Sequence, residues 1–261
     1  MDTNLTARNR GGFNSVFILV GNDESFGLEC TSLLLEKNIN IVAIAGTSAV
    51  QIANKLELYS KYPAIYISNT EKPWNDAEFQ SITLDANLLG LSLGLDAIVP
   101  NDFLITRFIV NTHPSALPMN RGSHQSFWAI MDETLGGGSL HLMTSGVDEG
   151  PILFQEKFAL PPQITSRELQ ELQLKSCSNL LNSKIQDIMN GSFNLVAQAA
   201  GTSHKKNQIK SFTTLSSNST IKVSDLLKLS RATCNKNNGF WIETEEGSFQ
   251  IIISDVNYFQ R

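Results

Sequence analysis

The chain is poor in cysteine: Cys30, Cys177 and Cys234 are its three thiols in 261 residues. An odd number at wide spacing makes neither a disulfide framework nor a CxxC metal site. Each reads as a small buried hydrophobe in a reducing compartment. Positive charge is also scarce. Lys and Arg number 20 against 25 Asp and Glu, a formal net charge of −5, which disfavours a protein that grips nucleic acid by its phosphates. No apolar run reaches membrane-spanning length. The four histidines are scattered without ligand spacing, so no metal is expected. The polar stretch Met1–Gly12 lacks the apolar stretch of a signal peptide and reads as a frayed tail. The phosphate fingerprint GxGxxG is missing too: Gly21 is followed by Asn22, Asp23 and Glu24, which disfavours a dinucleotide there. The expectation is a cytoplasmic protein with no nucleic-acid and no membrane partner.

What is present is enough apolar residue, 41%, to fill a core. Phe13–Val20 and Ile39–Ala45 are short β-rich runs, and between them Phe26, Cys30, Leu33 and Leu34 fall at helical spacing. That is strand, helix, strand, the repeating unit of a parallel α/β sheet. The alternation predicts a helix over Val50–Tyr59, a strand at Ala64–Ile67, a helix carrying Leu84, Leu88, Leu91 and Leu95, and strands at Asp96–Val99 and Phe108–Asn111. Thr165 with Glu168 makes a capping box for a long helix ending at Asn190, with Gly191 as its stop. The fold class is therefore α/β, a mainly parallel Rossmann-like sheet.

A shift to Ser, Thr and Asn over Thr213–Thr220 marks an internal boundary. Beyond it, Ser224 is placed to cap a helix through Leu226, Leu227 and Leu229. Phe240–Thr244 and Ser248–Ile253 read as a hairpin turning at Glu245-Glu246-Gly247. This divides the chain into a large N-terminal domain, residues 1–200, and a small C-terminal module of helix and β-hairpin, residues 201–261. A hairpin of that size is seldom stable alone, so Phe240, Trp241 and Ile251 suggest a homodimer contact.

The chemistry concentrates in two segments. In Asn111-Thr112-His113-Pro114-Ser115-Ala116-Leu117-Pro118, Asn111 and His113 occupy alternate positions at a strand end, so both side chains leave on one side. The prolines stop the strand. An amide can hold a developing oxyanion, and an imidazole can serve as acid or base near neutral pH. By themselves the two residues are equally at home in an ordinary turn. The second segment is Ser139–Met143, alternating like a strand, and the turn Thr144-Ser145-Gly146-Val147-Asp148-Glu149-Gly150-Pro151. A carboxylate at Asp148 would pair with His113 and favour its charged form. The plainer reading of Asp148 is an Asx-turn residue.

The order NTHPSALP, SLHLM, GVDEGPIL resembles the folate-dependent formyltransferases, whose pattern is N-x-H-P-S-x-L-P followed by an Asp in a D-x-G turn. The resemblance covers the chain to about residue 200 and weakens beyond. It implies that Asn111 binds the formyl oxygen, His113 stabilises the tetrahedral intermediate, and Asp148 sets the charge of His113 and helps remove the amine proton. It places 10-formyltetrahydrofolate, the expected co-substrate, against Ala97, Ile98, Val99, Met143, Thr144 and Gly146, and makes His141 a supporting wall.

The acceptor is read from three features. Asn120, Arg121, Gly122 and then Trp128 resemble the sugar N-formyltransferases, the short tail resembles their C-terminal module, and Lys206, beside Lys205, suits a pyrophosphate. The resemblance thus implies a nucleotide-linked amino-dideoxy sugar, a precursor of cell-surface polysaccharide such as O-antigen. The alternatives are glycinamide ribonucleotide or methionyl-tRNA as acceptor, and a non-catalytic binder of folate or sugar nucleotide. Gly136-Gly137-Gly138 is expected to form a flexible loop.

Overall fold

A computed structural model describes residues 12–235 and 239–256; the expected tail at residues 1–11 lies outside the described residues. A seven-stranded sheet is built from β1 (Ser15–Val20), β2 (Ile41–Gly46), β3 (Tyr66–Ser68), β4 (Leu88–Leu93), β5 (Phe108–His113), β7 (Gly136–Leu142) and β8 (Ile152–Phe158). Its order is β3-β2-β1-β4-β5-β7-β8. β1 pairs in parallel with β2 and β4, β2 with β3, and β4 with β5, while β7 runs antiparallel to β5. The α/β class and the mainly parallel sheet are thus as the sequence pattern implies. The strand order reverses between β1 and β4, which opens a crevice at their carboxyl ends. There Gly21 donates its N–H to Leu93 O at 3.2 Å, and a Cβ on Gly21 would lie 1.6 Å from Gly94 O.

The helices α1 (Glu24–Glu36), α2 (Ala49–Lys55), α3 (Leu58–Lys61), α4 (Ala77–Thr83) and α5 (Asn101–Leu104) connect these strands. Asp23 caps α1 by accepting from the Phe26 N–H at 3.1 Å. The helix then buries Phe26, Cys30, Thr31 and Leu34. The helix expected over Val50–Tyr59 is two helices, because Glu57 takes a φ of 56° between them.

The Leu84–Leu95 expectation is wrong in kind. Leu88–Leu93 is β4, buried along its whole length, and the helix ends before it, at Thr83. A central strand covered on both faces needs apolar residues at every position, and leucines so closely set mimic a helical period by accident. Gly90 gives the strand away: a Cβ there would meet the Phe17 ring at 2.5 Å and Ile109 at 2.8 Å. Asp96–Val99 forms no strand.

The chain forms two compact units. The first comprises residues 1–113, 139–155 and 177–198. Its core joins Phe17, Leu19, Ala43, Ala45, Phe79 and Ile109. Phe79 is fully buried, edge-on to Phe17 and stacked on Phe103; a side chain so buried contributes about 1.5–3 kcal/mol.

The second unit comprises residues 114–138, 156–176 and 199–261. It holds β6 (Arg121–Gly122) paired in parallel with β9 (Ser203–His204), and the helices α6 (Gln125–Met131), α8 (Ile209–Thr213) and α9 (Val223–Thr233). A long helix, α7 (Ser166–Met189), begins here with the expected capping box, Glu168 accepting from Thr165 N–H at 2.9 Å and from its hydroxyl at 2.6 Å. The expected hairpin is β11 (Gly239–Thr244) with β12 (Gly247–Ile252), and β10 (Thr214–Ser216) adds a third strand from within the Ser/Thr-rich stretch. Helix α9 starts after Lys222, so Ser224 lies in its first turn and is not the cap. Gly136–Gly138 is no loop. It is buried strand, where a Cβ on Gly136 would meet the Phe158 ring at 2.4 Å and one on Gly137 the Glu156 carbonyl at 2.2 Å.

Trp128 and His204 stack in this unit with ring centroids 3.8 Å apart and planes 5° from parallel. Asp132 Oδ2 lies 3.4 Å from His204 Nε2. Burial lowers the His204 pKa from 6.5 against the pull of Asp132, and burial lowers that of His124 as well. A histidine with a depressed native pKa binds its proton more readily in the unfolded chain. Stability is then full above about 6.5 and is lost as pH falls through that value toward the lower native pKa. The thermal midpoint should therefore drop between pH 7 and pH 5, and His204→Asn should flatten that slope. An unchanged slope would mean His204 binds its proton equally in the folded and the unfolded chain.

Candidate active site

The site is assembled on the carboxyl ends of β5 and β7. Asn111 and His113 leave β5 on the same side, with Thr112 between them turned into the sheet, its hydroxyl bonded to Ser92 O at 3.0 Å. Antiparallel pairing sets His141 of β7 directly opposite Asn111. The two side chains meet, Asn111 Nδ2 to His141 Nε2, at 3.1 Å. Asp148 comes from the turn after β7 with a φ of 52°, a left-handed backbone that Asp tolerates better than most residues.

Its carboxylate reaches three partners. Oδ2 lies 3.5 Å from His113 Nδ1, Oδ1 lies 3.4 Å from His141 Nε2, and Oδ1 accepts from Asn111 Nδ2 at 3.4 Å. His113 and His141 are 3% and 2% exposed, so the contacts of the carboxylate with His113 and with the Asn111 amide are made almost out of water and are stronger for it. His141 Nδ1 lies 3.1 Å from the Leu142 carbonyl, which can only accept. That assigns the proton of the neutral ring to Nδ1 and leaves Nε2 as acceptor for the Asn111 amide. The structure therefore unites the expected trio of Asn111, His113 and Asp148 and adds His141, read from sequence only as a wall. The signal for it was available: in an antiparallel pair, the β7 residue facing Asn111 shares its side of the sheet.

A second residue escaped the sequence reading. The Gln198 side-chain amide donates to Asp148 O at 2.8 Å and to Gly150 O at 2.6 Å. Two residues earlier, Val196 forms a reciprocal bridge with Ile152 at 2.8 and 2.9 Å. The segment thus straps the backbone of the Asp148 turn. Nothing in the local sequence of Gln198 indicates this, because the partners lie some fifty residues back.

Of the expected folate wall, Ala97, Val99 and Met143 belong to one apolar cluster. Ile98 is 78% exposed. Thr144 and Gly146 are half-buried in the turn that leads to Asp148. The expected acceptor residues differ among themselves. Asn120 is fully buried, its amide bonded to Thr134 Oγ1 at 2.8 Å and its N–H to Thr202 Oγ1 at 2.8 Å. Trp128 is 1% exposed within its stack. As placed, both hold the second unit together rather than presenting a surface to solvent. Arg121 donates to Ala199 O at 3.1 Å, and Lys206 is exposed.

The nitrogen and carboxylate atoms of His113, His141 and Asp148 lie within 4.8 Å of one another, within reach of a shared cation. Equally, an amide donor, two imidazoles and a carboxylate around one point are the parts of an acyl-transfer centre: an oxyanion donor, a proton carrier and a base. The fold is of the α/β class, and the site has the parts of a group-transfer centre.

The stretch of residues 84–185 matches the family model described as formyl transferase. It contains all four clustered residues. Over 150 residues, 56% of this chain and 58% of the relative, the sequence is 28% identical to a GDP-perosamine N-formyltransferase of Brucella melitensis. Curated relatives named methionyl-tRNA formyltransferase also align, one from Clostridium botulinum at 33% identity over 37% of this chain. The aligned stretches span from 24% to 58% of these relatives' own length. Among solved structures, a 4-N formyltransferase from Francisella tularensis superposes with a TM-score of 0.76 at 17% identity, covering 94% of this chain and 100% of that one. An N-formyltransferase from Helicobacter canadensis, solved with folinic acid and dTDP-3-aminofucose, superposes with a TM-score of 0.67 at 18% identity, over 89% of this chain and 84% of its own.

Proposed function

We propose that this chain moves a formyl group from 10-formyltetrahydrofolate to the amine of an amino-dideoxy sugar carried on a nucleoside diphosphate. The observation that carries the reading is the convergence of Asn111, His113 and Asp148 on one point beside β5, inside the segment with formyl transferase character. The amine attacks the formyl carbon, and the carbonyl oxygen takes the electron pair. The Asn111 amide and protonated His113 stabilise that oxyanion. Asp148 receives the amine proton, directly or through water, and His113 delivers a proton to the departing folate nitrogen as its bond to carbon breaks. The products are a formamide and tetrahydrofolate. His141, donating from Nδ1 to Leu142 O, presents Nε2 to Asn111 and so fixes the amide's direction.

Three findings support the acceptor. The fold likeness to the Francisella enzyme runs through the tail as well as the sheet. The Helicobacter enzyme is named with an amino sugar on a nucleoside diphosphate. The net charge of −5 opposes a polyanionic acceptor such as tRNA. The folate is read onto Ala97, Val99 and Met143 beside the turn carrying Thr144 and Gly146. The tail beyond residue 200 is read as a dimerisation module. There Phe240 is core, 5% exposed, and supplies no contact surface, while Trp241, Phe249 and Ile252 are the exposed apolar residues; light scattering that finds a monomer at all concentrations would refute the dimer. Among the described residues no helix is long and apolar enough to cross a membrane, in keeping with a cytoplasmic biosynthetic enzyme.

The direct test is formyl transfer from 10-formyltetrahydrofolate to a panel of amino-sugar nucleotides, with glycinamide ribonucleotide and methionyl-tRNA as competitors. Preferred turnover of either competitor overturns the acceptor. The reaction should also persist in a chelator, and activity that vanished with EDTA and returned with zinc would overturn the metal-free mechanism.

Gln198 supplies a separate test. Gln198→Glu keeps the size but replaces both donors with a carboxylate that the Asp148 and Gly150 carbonyls repel. It should lower kcat about tenfold with KM little changed, and displace the acid limb of the pH–rate profile, while Gln198→Met falls between it and wild type. A variant that lost only thermal stability would reduce the strap to a packing feature.

A further inference from the structure

The second unit contains a cavity of about 320 Å³ that none of the chemistry above uses. Its lining carries no Asp or Glu among the described residues. At its wall on α7 stands Gln173, 1% exposed, with neither its amide oxygen nor its amide nitrogen bonded to any protein group. A buried primary amide with both ends unpaired is costly, and it is kept where a partner completes it. Nearby, Gln170 and Asn235 are already bonded to each other at 2.7 Å and make a settled polar wall. Phe127 and Trp241 supply aromatic faces, and Lys210 supplies a cation.

We infer that this cavity receives a nucleoside diphosphate, the carrier class of the acceptor proposed above, on which the inference rests. The ligand must offer a donor and an acceptor side by side to meet the two ends of Gln173. The edge of a nucleobase does this, and glutamine pairs with such edges in a bidentate way. It must be flat and uncharged where it meets Trp241 and Phe127, as a stacked base is. It must carry negative charge toward Lys210 and none toward Gln173, as a base joined through ribose to a diphosphate does. The volume suits a base and its ribose and exceeds that of a single buried water.

The test titrates UDP, dTDP and GDP separately into the full chain, following heat and tryptophan fluorescence, with 10-formyltetrahydrofolate binding and formyl transfer measured alongside. Gln173→Leu removes both polar atoms at nearly constant volume. It should weaken the preferred nucleoside diphosphate at least tenfold, leave folate affinity within twofold, and raise the thermal midpoint of the free protein by about a few degrees as the unpaired amide is lost. Trp241→Leu, at a partly exposed position, should weaken the same nucleotide and abolish its fluorescence change. If both variants bind nucleotide like wild type while wild type formylates the sugar nucleotide, the cavity is solvent-filled and this inference fails, though the proposed function stands. If wild type binds no nucleoside diphosphate and transfers no formyl group to any sugar nucleotide, both fail together.

Discussion

Asn111→Ala should lower turnover about a hundred- to thousandfold, the scale of losing one oxyanion donor from a dry site. His113→Asn and Asp148→Asn should each cost about a hundredfold or more, because each keeps the size of the side chain and removes the group that titrates. The effects will not add. Asn111 and both histidines meet the same carboxylate within 3.5 Å, so all act on one intermediate and one proton path. The Asp148→Asn variant carries an internal control, since asparagine also accepts the left-handed φ of 52° at that position and the turn should survive. Binding of both substrates should persist in all three variants, with the loss confined to kcat. Three folded variants that bound both substrates and kept near wild-type turnover would place the chemistry elsewhere in the chain.

The second large effect is expected from a methyl group that touches no substrate. A Cβ on Gly150 would sit 1.8 Å from the Leu142 carbonyl and 3.1 Å from Thr144 Cγ2. Leu142 ends β7 and also takes the Pro151 carbonyl through its N–H at 2.9 Å. The backbone enters the Asp148 turn and leaves it through this one close approach. Gly150→Ala must spread the two, moving the carboxylate away from His113 and His141, and overpacking of this kind costs about 1–3 kcal/mol. Displacing a reacting group by about an ångström is enough for a hundredfold loss of rate. The expected result is a folded protein with a lowered thermal midpoint and turnover reduced to near the Asp148→Asn level. Normal kcat in Gly150→Ala would show that the turn adapts and that this contact does not set the carboxylate.

Much of this site was legible in sequence because its information is local. Alternation along one strand aligns Asn111 with His113, and a turn rich in glycine announces the loop of Asp148. Strands β1 and β2 were equally plain, since Phe13–Val20 and Ile39–Ala45 are apolar runs of strand length bounded by turn residues. The failures have separate physical causes. β4 is buried on both faces, and a strand with no solvent side loses the period of two that marks a strand. Gly136–Gly138 looked flexible because glycine usually is, while the reason for glycine there is the crowding of Phe158, Glu156 and Ala116. Asn120 and Trp128 looked like surface recognition residues by analogy of pattern, whereas their burial depends on Thr134, Thr202 and His204, residues that only the folded chain brings near. Gln198 was missed for the same reason, its partners lying in another turn, and His141 was read only as a wall because its pairing with Asn111 belongs to a neighbouring strand.

Thr112, turned inward between Asn111 and His113 and bonded to Ser92, has a consequence for how this chain can change over generations. The strand that bears the chemistry is also a core strand, and its two faces carry different duties in strict alternation. Inserting or deleting one residue between Phe108 and His113 would turn the hydroxyl of Thr112 outward and send the amide and the imidazole into the apolar interior. Length variation is thereby forbidden in six residues by folding and by chemistry at once. Lineages of this chain should vary freely in the exposed loops, and in this hexapeptide should accept exchanges of residue type but never a change of count.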